Sequence, residues 1–189
     1  DRLIQQCILQ VLEPICEAKF HKHSYGFRPL RSTKHAISRA YFLAQRNNLH
    51  YVVDVDIKGF FDNINHGKLL KQLWTLGIRD KSLIAVISKM LKAEIENIGI
   101  PDKGTPQGGI LSPLLANVVL NEFDWWIASQ FEEIKTKFNY KPSIKDGKEY
   151  NDTKIRTLKN KTKLKEVYIV RYADDFKLFC RNHQDAVKL

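Results

Sequence analysis

The stretch "EVYIVRYADDFKLF", residues 166–179, sets two adjacent carboxylates, Asp174 and Asp175, between two apolar and aromatic runs. Both runs read as strands, so the aspartates fall at the tip of a hairpin, where both can face one cleft. Carboxylates held that close repel unless a cation lies between them. The plainer alternative is that Asp is a good turn former. A second pair lies in "VVDVDIKGFFDNINH", where strand alternation places Val52, Asp54 and Asp56 on one face and Val53, Val55 and Ile57 on the other. Either these carboxylates pair with a neighbour such as Lys58, or Asp56 joins Asp174 and Asp175 around divalent cations. Magnesium takes hard oxygen ligands, commonly one or two carboxylates completed by phosphate and water. Separated carboxylate positions of this kind suit nucleotidyl transfer in which one ion activates a 3′-hydroxyl and another stabilises the leaving oxygen.

"GTPQGGILSP" adds a third element. Gly104, Gly108 and Gly109 let backbone approach a flat ligand, and Gln107 offers both a donor and an acceptor. The alternative is an ordinary loop before a helix capped by Ser112, with Pro113 at its first position.

The elements that must position these residues follow from apolar periodicity. Leu3, Ile4, Cys7, Ile8, Val11, Leu12 and Ile15 define an amphipathic helix that ends or kinks near Pro14. Ser32 or Thr33 caps a second helix running to about Asn47. "YVVDVDI" is a strand, "GKLLKQLWTL" and "DKSLIAVISKMLKAEI" are helices, and a long helix spans about Ser112 to Phe131. Helices and strands mix without a regular βαβ repeat, which predicts an α+β fold with an antiparallel sheet.

Composition narrows the partners. The 189 residues carry a formal net charge of +10, which points to a polyanion such as nucleic acid or an anionic membrane surface. Residues 135–165 hold eleven Lys or Arg against three Asp or Glu, so +8 of the total sits in one segment. That segment lacks a sustained apolar period and reads as an exposed, partly disordered insertion, either a solvated loop or a phosphate contact. No apolar run approaches a membrane span and no signal peptide opens the chain. Cys7, Cys16 and Cys180 lack disulfide or metal spacing, read as buried thiols, and favour a reducing compartment. The histidines carry no metal-ligand spacing, His66 reads as a support for helix packing, and Trp125 and Trp126 read as core or interface aromatics.

Taken in order, "HSYGFRPLRSTKHA", "DIKGFFDNINH", "GTPQGGILSPLLANVVLNEFD" and "YADD" closely resemble the group II intron-encoded reverse transcriptases, or maturases. The resemblance runs from Asp1 to about Cys180 and weakens in the basic insertion. It implies a right-hand polymerase: fingers at 1–50, palm at 51–66, fingers helices at 67–106 and palm at 107–189, with the palm sheet packed on helices and the thumb absent. Asp56, Asp174 and Asp175 match the catalytic, metal-binding aspartates, and the backbone carbonyl of Ile57 also touches a metal. Two Mg2+ ions are implied, with Mn2+ as a substitute. Phe61 matches the aromatic that excludes a 2′-hydroxyl, and a core aromatic is its alternative. Gln107 and Gly108 match the loop against the nascent base pair, and Tyr172 and Ala173 lie near the primer terminus. Arg28 resembles a template-side fingers residue, with a structural role equally open. Lys154, Arg156, Lys159, Lys161 and Lys163 are the candidate RNA contacts in the insertion.

The implied activity is RNA-directed DNA synthesis from deoxynucleoside triphosphates, with an RNA template, intron RNA and a DNA primer or target as partners. A maturase acting mainly as an RNA-binding splicing cofactor is the alternative. The resemblance places the protein in a bacterial cytoplasm or an organelle. Residue 1 is Asp within an apparent helix, so the chain reads as a fragment lacking the fingertip hairpin and thumb, whose open ends allow a homodimer.

Overall fold

Apolar residues four apart draw the first helix onto the interior. In a computed structural model, which describes residues 2–94, 99–106 and 108–189, α1 (Arg2–Glu17) buries Ile8, Leu12 and Cys16. Pro14 does not stop the helix, which runs on to Glu17 about a turn later. Its missing N–H costs one bond, but its carbonyl still accepts from the Ala18 N–H at 3.3 Å and burial of Cys16 lies beyond it. Burial pushes the Cys16 thiol up to about 12 and the Cys180 thiol up to about 11, so both are inert. Cys7 departs from expectation: it lies on the exposed side of α1.

α2 (Thr33–Tyr41) continues as a turn of π-helix over Phe42–Arg46. Ser32 stands at its N-cap position, but the hydroxyl meets His35 Nδ1 at 3.3 Å instead of a helical N–H. α3 (His66–Leu76) is capped by the Asn65 side chain and stopped by Gly77, whose φ of 111° a side chain would strain. α4 (Lys81–Leu91) is capped by Asp80 and ends before the expected Ile95, which lies outside the described residues.

α5 (Ser112–Gln130) organises the molecule. Its apolar residues face several directions because it joins two cores. Leu114, Leu115, Val118 and Leu120 pack with α1, α3 and α4, whereas Ile127 and the adjoining Phe131 pack with the sheet and α2. Ser112 is a helix residue and not the expected cap; its hydroxyl donates to the Pro106 carbonyl at 2.8 Å. The entering N–H groups are met from elsewhere, since Ile110 and Leu111 donate to Gln5 Oε1 at 2.8 and 3.4 Å.

The sheet runs in the order β1 (Tyr51–Asp56), β5 (Asp175–Cys180), β4 (Val167–Tyr172), antiparallel throughout. Between α5 and β4 the basic insertion is more structured than its composition predicts. It forms a hairpin, β2 (Ser143–Lys145) with β3 (Lys148–Tyr150), and a helix, α6 (Asp152–Lys161). Leu158 buries against the sheet core, and Lys159 pairs at 2.7 Å with the buried Glu166. Ile155 packs beside Leu158, and Lys154 adds a hydrogen bond to Glu132 O, so several tertiary anchors order a segment lacking apolar periodicity. A short helix, α7 (His183–Val187), follows β5, and no helix among the described residues is long and apolar enough to cross a membrane.

Candidate active site

Strand alternation works as the sequence implied: on β1, Val53 and Val55 pack into the core while Asp54 and Asp56 are exposed. Pairing supplies what the sequence could not. Asp56 lies directly opposite Asp175, and Asp54 directly opposite Lys177, so four charged side chains share one sheet face. Lys177 Nζ stands 2.6 Å from Asp54 Oδ1 and 3.6 Å from Asp175 Oδ1. The hydrogen bond to Asp54, reinforced by the charge of Asp175, raises the Lys177 pKa despite some desolvation, so this ammonium stays charged. The cation that answers Asp54 is therefore Lys177 and not the neighbouring Lys58.

The hairpin tip is Ala173 and Asp174. Ala173 has φ 58°, a left-handed conformation that its Cβ disfavours. The sequence pattern predicts that Asp174 and Asp175 share the tip and face one cleft; instead Asp175 opens β5 opposite Tyr172, and the two line different cavities. Asp174 joins Phe61, Gly59 and the backbone of Gly108 and Gly109 around a cavity of about 410 Å³. Tyr172, Asp175 and Lys177 line a second cavity of about 220 Å³ against Ala36, Ile37 and Ala40 of α2. Phe61 is half-buried, edge-on to Phe60 at 5.7 Å and to Phe27 at 6.3 Å between ring centroids. Gln107 lies outside the described residues.

Two loops are stapled beneath the larger cavity. Gly104 N–H donates to Ile64 O at 2.7 Å, Thr105 N–H to Phe61 O at 2.9 Å, and His66 Nε2 donates to Gly104 O at 2.7 Å. His66 thus fixes a loop from the start of α3. At Gly104 a Cβ would stand 2.9 Å from Asp62 O, and φ is +89°, so glycine is required there.

The segment carrying Arg28 is inward-facing. Arg28 is 7% exposed; its guanidinium takes both oxygens of Glu17 at 2.7 and 2.8 Å and the carbonyls of His21 and Ser24. Of the two roles left open for Arg28, this geometry is the structural one. Among the insertion cations, Lys154 donates to Glu132 O at 3.2 Å and Lys159 holds Glu166, while Arg156, Lys161 and Lys163 are exposed. Trp125 and Trp126 are both partly exposed, and Trp125 Nε1 donates to Lys19 O.

The sequence reading missed a polar stripe on α5. Asn117, Asn121 and Asp124 are all buried, and their i, i+4, i+7 spacing inside an otherwise apolar helix was the available signal. Asn121 Oδ1 accepts from His21 N at 3.0 Å, while Asn117 and Asp124 receive Arg171.

The donor set fits a hard divalent cation: two carboxylates in register on one open face, already drawing in an ammonium. Among the described residues no three or more Asp, Glu, His or Cys side chains converge to hold a metal by themselves. Magnesium does not require that, since phosphate and water commonly complete its shell.

The whole chain, residues 1–189, matches the family described as reverse transcriptase (RNA-dependent DNA polymerase). Protein YkfC of Escherichia coli (strain K12) is 33% identical over 197 residues, covering 100% of this chain and 50% of that protein. The group II intron-encoded protein LtrA of Lactococcus lactis subsp. cremoris is 39% identical over 155 residues, covering 80% of this chain and 25% of LtrA. The chain thus spans half the length of the first relative and a quarter of the second. In fold it superposes on apo telomerase from Candida tropicalis with TM-score 0.59 at 14% identity, covering 97% of this chain and 32% of that one.

Proposed function

The chain belongs to the reverse transcriptase (RNA-dependent DNA polymerase) family, and from that premise we propose that it forms the fingers and palm core of a group II intron-encoded RNA-directed DNA polymerase. Fingers comprise residues 1–50 and 67–106, and palm comprises 51–66 and 107–189. The observation that carries this reading is the register of β1 on β5, which sets Asp56 against Asp175 on an open face, with Asp174 beside the Phe61 cavity.

Asp56, Asp175, Asp174 and the Ile57 carbonyl would hold magnesium, or manganese in its place. Bound there, the ions would make the primer 3′-hydroxyl more acidic and neutralise charge on the triphosphate. The chain's own residues do the positioning. Phe61 closes the sugar side of the pocket, the Gly108 backbone lies along the nascent base pair, and Tyr172 and Ala173 approach the primer end. Substrates are deoxynucleoside triphosphates on an RNA template with a DNA primer. Catalysis of this kind rests on orientation and electrostatics, with little covalent chemistry from the protein.

A second reading, an intron-RNA-binding splicing cofactor, draws on the exposed Arg156, Lys161 and Lys163. Either function suits a bacterial cytoplasm or an organelle. The deciding experiment is primer extension by the full-length protein on an RNA template with deoxynucleotides and magnesium, beside an Asp174→Asn control. Extension abolished by the control is the expected result. Absence of extension from folded, RNA-binding protein would move the function to the splicing role.

A further inference from the structure

Arg171 is fully buried, where a guanidinium is rarely found and an apolar side chain of equal size would avoid desolvating a charge. Its bonds show what the charge provides. Nε and Nη2 donate to the two oxygens of Asp124 at 2.8 and 2.7 Å, and Nη1 donates to Asn117 Oδ1 at 2.9 Å and to the Ala173 carbonyl at 2.6 Å. The guanidinium therefore joins α5 to the carbonyl at the hairpin tip, one residue before Asp174.

A second strut meets the same tip from outside. Arg171 N–H donates to His23 O at 3.1 Å and Tyr25 N–H donates to Arg171 O at 2.9 Å, so residues 23–25 run parallel beside the end of β4. Asn117 Nδ2 donates to Gly26 O at 2.9 Å, and a Cβ on Gly26 would stand 2.2 Å from Ala173 N. Ala173 is left-handed, which alanine adopts reluctantly, so its conformation is imposed by these neighbours.

We propose that Arg171 is a positioning residue for the polymerase site. By tying the Ala173 carbonyl to Asn117 and Asp124 it sets the direction in which the Asp174 and Asp175 carboxylates leave the hairpin. This rests on the reading of Asp175 as a cation ligand. An equally buried residue acting only in packing would affect folding stability and leave cation affinity unchanged.

The test is Mn2+ binding to the full-length protein, followed by electron paramagnetic resonance, with circular dichroism melting alongside. Asp175→Asn is expected to lose the tightest Mn2+; if it does not, the ligand reading fails and the proposal falls with it. Arg171→Lys keeps the charge but cannot reach Asp124, Asn117 and Ala173 together. It is expected to melt cooperatively and to bind Mn2+ roughly tenfold more weakly, the size of effect expected when a ligand's supporting partner is lost. The magnesium needed for half-maximal primer extension is expected to rise in parallel, and excess magnesium to restore the rate. Mn2+ affinity within about twofold of the unsubstituted protein, with Asp175→Asn impaired, would overturn the role of Arg171 alone. Should Arg171→Lys fail to fold, the double variant Arg171→Met with Asp124→Leu decides, because it exchanges the buried pair for apolar side chains of similar size and removes the tie to Ala173: weakened Mn2+ binding by the folded protein supports the proposal and unchanged binding overturns it.

Discussion

Asp56 and Asp175 stand opposite each other across β1 and β5, two carboxylates in register on an exposed face; among the described residues the only ion pair either makes is with Lys177, 3.6 Å from Asp175. Like charges directly opposite destabilise a strand pair by about 0.2–1 kcal/mol. Asp175→Asn is therefore expected to leave the melting temperature unchanged or raise it by roughly 2–4 °C. Primer extension should meanwhile fall by more than about a hundredfold, as when a group aimed at transition-state charge is removed. Thermal melts and single-nucleotide extension rates check both halves; a destabilised but active variant contradicts the assignment.

Lys177 occupies the acidic face as a built-in counter-ion, 2.6 Å from Asp54. In Lys177→Met a competing cation is lost, so the magnesium concentration for half-maximal extension is expected to drop severalfold. Stability should change by no more than about 1 kcal/mol, the range of exposed ion pairs. A magnesium titration of extension rate distinguishes this from a direct contact of Lys177 with substrate phosphate, which would raise the magnesium or nucleotide requirement.

Phe61 is braced edge-on by Phe60 and Phe27 beside the cavity that holds Asp174. Phe61→Val opens that wall without removing any hydrogen bond. Discrimination against ribonucleotides is expected to fall by at least about tenfold, the scale on which apolar pockets sort shapes. Paired kcat/KM measurements for a deoxynucleotide and its ribo counterpart decide it, and equal discrimination in both proteins removes Phe61 from the sugar site.

His21 is fully buried, and burial, helped by the neighbouring His23, pushes its pKa down to about 3. It is neutral in the fold, whereas the unfolded chain takes up its proton below about 6.5. Stability is thus present above that value and declines by about 1.4 kcal/mol per pH unit on acidification, until the folded imidazole also titrates. His23, lowered by burial although Glu132 opposes it, adds to the same window. Burial of Glu132 is outweighed by His23, Lys22 and Arg39, which hold it well below the usual carboxylate range, so its own contribution is lost only at lower pH. Urea unfolding between pH 6.5 and 5 is expected to show the decline, and His21→Leu to flatten it by about one proton. An unaltered slope refutes the prediction.

The insertion's cations divide into two kinds. Arg156, Lys161 and Lys163 are exposed, so each alanine substitution should leave the melting temperature alone and reduce the salt slope of RNA binding by roughly 0.7–0.9. Lys159 answers Glu166, which is 5% exposed and also held by Arg181 and Tyr168. Lys159→Ala is expected to cost about 1 kcal/mol or more of stability, because part of a buried charge loses its partner. Filter binding across a salt series, beside thermal melts, separates the groups; if Lys159→Ala alters only the salt slope, the docking role of that lysine is wrong.

Everything legible in the order of residues was local. Alternation along Tyr51–Asp56 put the valines inward and the aspartates outward; the strand, turn and strand of residues 166–179 put Asp174 and Asp175 at a tip, which holds for Asp174 while Asp175 opens β5; the ordered motifs carried the family. Each signal lies within a few residues, where backbone geometry alone relates side chains. Composition hid the order of the basic insertion, because Leu158 and Ile155 reach the sheet core and Lys159 meets the buried Glu166 just past its end; α1 likewise runs on past Pro14 with Cys16, two residues later, buried. Strand register and packing set which distant groups meet: Asp54 with Lys177 across 123 positions, Gln5 with the start of α5, and Arg171 with Asp124. Strand register brings the exposed Asp54 and Lys177 together, and a buried donor or charge must find a partner wherever packing provides one; in neither case does the neighbouring sequence record where that is.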